Sequence, residues 1–80
     1  MQIYPNPVHE ELVIDLSFIS ANPNIEIRIY DALGKLITIR NFIKTEEIIK
    51  IDTKNMEAGM YHIELLTDSD RFNKKLFIKH

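Results

Sequence analysis

Apolar and polar residues alternate with period two along most of this chain, and helical periodicity is hard to find. Such alternation predicts strands that bury one face. Leu12, Ile14, Leu16 and Phe18 alternate with Val13, Asp15 and Ser17. Ile25, Ile27 and Ile29 read as inward residues against Glu26, Arg28 and Tyr30, the clearest strand of the chain. Leu36 to Phe42 reads as a return strand, with Ile37 and Ile39 on one face and Leu36, Thr38 and Arg40 on the other. Glu46 to Asp52 carries Ile49 and Ile51 inward. Met60 to Thr67 carries Tyr61, Ile63 and Leu65 inward against His62 and Glu64. The last strand, Arg71 to Lys79, alternates Phe72, Lys74, Leu76 and Ile78 with Asn73, Lys75, Phe77 and Lys79.

The segments between these runs carry turn chemistry. Ser20-Ala21-Asn22-Pro23-Asn24 and Asp68-Ser69-Asp70 are turns. Asp31-Ala32-Leu33-Gly34-Lys35 is a hairpin connection in which Gly34 supplies a positive φ. Lys44-Thr45 is a polar break, Asp52 or Thr53 is placed to cap one helical turn through Met56, and Gly59 re-aims the chain. About seven short strands with turns every eight to twelve residues predict an all-β fold, an immunoglobulin-like antiparallel β-sandwich. A closed small barrel is the alternative.

Eighty residues suit one domain, expected to span residues 1–80, with the Pro-rich entry at one end and only His80 after the final strand. The chain has no cysteine, so neither a disulfide framework nor a thiolate metal site adds to the core. Ten basic and twelve acidic residues give a net charge of -2 spread along the chain, without the basic stripe of a nucleic-acid binder. There is no apolar run long enough for a membrane helix, and Met1-Gln2-Ile3-Tyr4-Pro5 does not resemble a signal peptide.

Candidate chemistry is sparse. His9, His62 and His80 show no ligand spacing, so no metal or other cofactor is expected. Asp68-Ser69-Asp70 lacks the further oxygen ligands and the bend glycine of a calcium loop. Ser17, Ser20 and Ser69 lie outside any nucleophile elbow, and a sandwich of this size offers little room for a cleft, so no enzyme is expected. Phe18, Phe42, Phe72 and Tyr61 fall on inward phases; Tyr4, Tyr30 and Phe77 are the aromatics left for a surface. Pro5 and Pro7 bracket Asn6 and remove backbone donors, which suits edge protection or a fixed junction with preceding sequence. Lys74, Lys75 and Lys79 around Leu76 and Ile78 read either as protective lysines on an edge strand or as a strand captured by β-addition.

Tyr4-Pro5-Asn6-Pro7, Ile27-Arg28-Ile29-Tyr30-Asp31 with Gly34-Lys35, Gly59-Met60-Tyr61 and Lys75-Leu76-Phe77-Ile78-Lys79 occur in this order across the chain. Together they resemble the type A C-terminal sorting domain of the type IX secretion system of Bacteroidetes. The resemblance implies a non-catalytic address domain covalently C-terminal to a larger cargo. Its implied partners are the outer-membrane translocon with its shuttle proteins and a cell-surface sortase. The implied route runs through the periplasm to the cell surface or the exterior. It also implies Pro5, Pro7, Gly34, Gly59, Tyr61, Lys75, Leu76, Ile78 and Lys79 as recognition residues, and it favours the β-addition reading of the lysine strand. His80 is an extra residue where that family's pattern commonly stops near a basic position. The reading from another class is a non-catalytic carbohydrate-binding or adhesive β-sandwich.

Overall fold

A computed structural model describes residues 1–19 and 23–80. Seven strands follow one another: β1 Gln2–Tyr4, β2 Glu11–Asp15, β3 Asn24–Asp31, β4 Leu36–Ile43, β5 Ile48–Asp52, β6 Gly59–Leu66 and β7 Arg71–Ile78. One sheet has the order β1-β2-β5 and the other β4-β3-β6-β7, with every neighbouring pair antiparallel. Two stacked sheets of three and four strands in this order form the expected immunoglobulin-like sandwich rather than a closed barrel.

The core follows directly from the alternation. Ile25, Ile27 and Ile29 of β3 and Tyr61, Ile63 and Leu65 of β6 are buried, and they meet Leu12, Ile14 and Ile51 of the opposite sheet. Ile27 lies opposite Leu65 and Ile29 opposite Ile63, so the inward aliphatic residues of the two central strands form cross-strand pairs. Leu76 and Ile78 of β7 extend this layer, and Phe42 and Phe72 pack against it from the flanks.

Several expectations need correction. β2 stops at Asp15 because the Asp15 carboxylate accepts the Ser17 amide at 2.8 Å, and Ile19 N–H bonds to the Leu16 carbonyl at 3.0 Å. Those local bonds compete with the ladder and turn the chain. Phe18 is therefore 43% exposed rather than a core residue, with its ring edge-to-face on Phe72 at 4.9 Å. β5 begins at Ile48, not Glu46, although Ile49 and Ile51 do face the core. The helical turn anticipated after Asp52 is a β-turn: Asp52 accepts from Lys54 N–H and Met56 N–H closes onto Thr53. In β4 the register slips between Ile29 and Tyr30, so Thr38 faces Ile29 while Leu36 faces Tyr30. Ile37 is the extra residue of this bulge. It borders a hollow beside Met56 and Tyr61, whereas Ile39 lies opposite Arg28, so the two do not share a face. Lys44 is not a solvated break either, since it is buried and its Nζ donates to the Ile19 carbonyl at 2.6 Å. Of the first inter-sheet turn, Ser20, Ala21 and Asn22 lie outside the described residues.

Candidate functional site

The register gathers the candidate recognition residues at one end of the four-stranded sheet. Asp31, Tyr61 and Leu76 form one row across β3, β6 and β7; Tyr30, His62 and Lys75 form the next. Beyond them Met60 faces Phe77 and Gly59 faces Ile78. Gly34 closes the β3–β4 hairpin at the same end. Its N–H bonds to the Asp31 carbonyl at 3.0 Å, and the Asp31 carboxylate accepts from both Leu33 and Lys35 amides at 2.9 Å.

The two glycines have a common reason to be there. Gly34 sits at φ 87° and Gly59 at φ 148°, both in the range that L side chains seldom adopt. Neither site is crowded, because a Cβ built at either glycine meets nothing within 4 Å. The backbone angle is the constraint. Gly59 redirects the chain so that Tyr61, two residues on, turns into the core.

Tyr61 is 6% exposed and its hydroxyl donates to the Glu57 carbonyl at 2.6 Å. A tyrosine at the start of this strand whose hydroxyl bonds back a few residues upstream is the tyrosine corner of immunoglobulin-like sandwiches. Burial, then the Glu57 and Asp31 charges, pushes the phenol above its ordinary value of 10.0. An unfolded chain ionises this group first as pH rises, so its contribution to stability is intact below about pH 10 and falls above it. Tyr61→Phe keeps the ring and loses the bond. We expect a cost of about 1 kcal/mol at neutral pH and a shallower alkaline decline, measured by urea titrations at pH 7 and above 10.

The N-terminal segment reaches the same end of the molecule. Val8, fully buried, makes a parallel bridge to Ile78. Val8 N–H bonds to the Phe77 carbonyl at 2.7 Å, and Lys79 N–H bonds to the Val8 carbonyl at 2.8 Å. Asn6 Oδ1 accepts from Phe77 N–H at 3.3 Å, and His9 Nδ1 donates to the Lys79 carbonyl at 2.8 Å. Pro5 and Pro7 are exposed on either side of Asn6. The last residues of the chain's final strand are therefore not an open edge. The backbone groups that β7 points away from β6 alternate, so those of Asn73 and Lys75 lie on the same side as those of Phe77. Only that earlier stretch remains free to pair.

Val8 was the residue that sequence reading missed, and its one signal is an isolated apolar side chain directly after Pro-Asn-Pro. The strand itself behaves as expected: Leu76 and Ile78 are buried, and Lys75, Phe77 and Lys79 are exposed. Lys74, Lys75 and Lys79 make no ion pair among the described residues, whereas Arg71 lies 3.5 Å from Glu64. That glutamate also meets Arg28, itself 2.6 Å from Glu26, on the outer face of the sheet.

The three histidines stay apart: His9 clasps Lys79, His62 sits between Tyr30 and Lys75, and His80 bonds to the Met56 carbonyl. No group of three metal-capable side chains occurs among the described residues. A hollow of about 490 Å³ opens at the opposite end beside Asn24, Glu26, Phe42 and Thr67. Among the described residues, no helix is long and apolar enough to cross a membrane.

The sequence family described as secretion system C-terminal sorting domain matches residues 2–79, nearly the whole chain. No match to a curated protein accompanies it. The family is one of sorting signals rather than catalysts, and its cargo proteins are secreted or held at the cell surface. With the sandwich, its motif residues and this match in agreement, the chain belongs to the C-terminal sorting domain family of the type IX secretion system.

Proposed function

We propose that this domain addresses a cargo joined to its N-terminus for passage across the outer membrane, and that the translocon reads it at β7. The supporting observation is the convergence of Gly34, Gly59, Tyr61 and the Lys75–Lys79 segment on one sheet end, with Lys75 and Lys79 exposed and unpaired there. Pairing by β-addition would use the free backbone of Arg71 to Lys75, since Val8 and Asn6 already hold the groups of Phe77 and Lys79. Backbone bonds then supply affinity, and the lysines select an acidic or carbonyl-rich partner surface. The domain travels folded through the periplasm, and a sortase acts on the chain upstream of it, leaving cargo at the surface or released.

A reporter fused ahead of residues 1–80, in a host with the pathway, is expected to leave the cell only when the domain is present. Lys75→Ala with Lys79→Ala should weaken capture roughly tenfold, the effect of losing about 1.4 kcal/mol at an interface. Circular dichroism of the isolated variant separates this loss from misfolding. Unchanged export by the folded double variant would discard β7 as the recognised element.

A further inference from the structure

Among the described residues, three of the four sheet edges carry features that hinder pairing with a second copy, and the fourth carries the fewest. β1 is three residues long and runs into Pro5. β7 is covered at its end by Val8 and carries Arg71 and Lys75 on the remainder. β5 is five residues long and points the backbone of Lys50 outward, between Ile48 and Asp52. These are the devices by which soluble sheets avoid pairing with one another. β4 relies on none of them over its regular stretch: its bulge at Ile37 lies towards one end, and Arg40 turns its backbone toward β3. It is eight residues long, contains no proline, and leaves Leu36, Ile37, Ile39 and Ile43 exposed, the last by 60%.

The hydrogen-bond phase tells which of its residues face the open side. Lys44 N–H bonds to the Pro23 carbonyl at 3.0 Å, continuing the register that sets Ile43 opposite Asn24. Phe42, Arg40 and Thr38 therefore turn their backbone groups toward β3, and Ile43, Asn41 and Ile39 turn theirs away. The outward row is apolar, amide, apolar, with no charge.

We propose that β4 is a homotypic interface, pairing antiparallel with β4 of a second copy about a two-fold axis at Asn41. In this register Asn41 meets the second copy's Asn41, and Ile39 meets Ile43 on each side, so Ile39, Asn41 and Ile43 all exchange backbone bonds across the joint. On the other face Arg40 lies beside Phe42 of the second copy, cation against ring. Shifting the axis by one residue to Arg40 sets that cation against itself and Asn41 against Ile39. Like charges directly opposite destabilise a pair. The edge is thus self-complementary about Asn41, which is what a two-fold interface requires. Two four-stranded sheets become one, and the β7 edge on the far side stays available.

The experiment uses the chain as it stands, since it has no cysteine of its own. Hydrogen-bonded antiparallel partners have Cα atoms about 5.5 Å apart, within the span of a disulfide. Asn41→Cys should oxidise to a covalent dimer, whereas Asn73→Cys, also exposed but on the β7 edge, should not. Sedimentation of the wild type should show a concentration-dependent dimer, and Ile39→Lys with Ile43→Lys should sediment as a folded monomer at every concentration. A wild type that is monomeric throughout, a dimer that survives the lysine pair, or crosslinking that favours Asn73→Cys would each overturn the proposal. So would a β4 edge that pairs only with an added extended peptide of alternating apolar residues and never with its own copy.

Discussion

Tyr61→Ala is expected to cost about 3–5 kcal/mol, the range for truncating a buried aromatic. A domain of this length commonly holds only about 4–12 kcal/mol in total. The ring is buried between the sheets, and its hydroxyl donates to the Glu57 carbonyl in the connection that precedes β6. Alanine removes both at once, and the β5–β6 connection loses the tether that fixes its approach to β6. Chemical denaturation should show the midpoint falling steeply with an unchanged slope, while Tyr61→Phe loses only about 1 kcal/mol. The pair of variants also bears on the address reading. If β7 is what the translocon reads, export of a fused reporter should follow stability across these two variants. It should depart from stability in Lys75→Ala with Lys79→Ala, where the surface changes and the core does not.

The strands that sequence alone located are those whose side chains have one consistent environment. β3 has apolar residues at 25, 27 and 29 and polar or amphipathic ones between them, and each phase falls on the face expected. β6 behaves the same way because it lies between β3 and β7 and is covered along its length. Where local hydrogen bonding competes with the ladder, the pattern misleads. Phe18 continues the phase of Leu12, Ile14 and Leu16, but the Asp15 carboxylate captures the Ser17 amide and the chain turns before reaching it. Ile37 and Ile39 alternate perfectly as letters, yet one extra residue opposite Tyr30 separates their faces, and composition carries no trace of a bulge. The motifs name candidate residues at both ends of the chain and, with Gly34, Gly59 and Tyr61, in its middle. That the β3–β4 turn, the β6 start and the β7 end would adjoin is a property of register, and register is set by long-range pairing that a single sequence does not display.

Val8→Asp should release the clasp between the two ends of the chain. Val8 is fully buried, and a carboxylate there is stripped of water, so it leaves for solvent and takes the bridge to Ile78 with it. Losing the side-chain burial, worth about 1.5–3 kcal/mol, together with two backbone bonds of about 0.5–1.5 kcal/mol each, sums to a cost of roughly 2.5–6 kcal/mol. Hydrogen exchange gives the local readout. The amides of Phe77 and Lys79, now held by Asn6 and Val8, should lose protection first, while those of Ile63 and Leu65 follow global stability. The consequence for sorting has a definite sign. Were recognition confined to the free edge at Arg71–Lys75, the released variant would be captured no better than the parent in proportion to its folded fraction. Export above that fraction would instead mean that Phe77 and Lys79 join the pairing once uncovered, and that the Pro-Asn-Pro segment restrains the strand it covers.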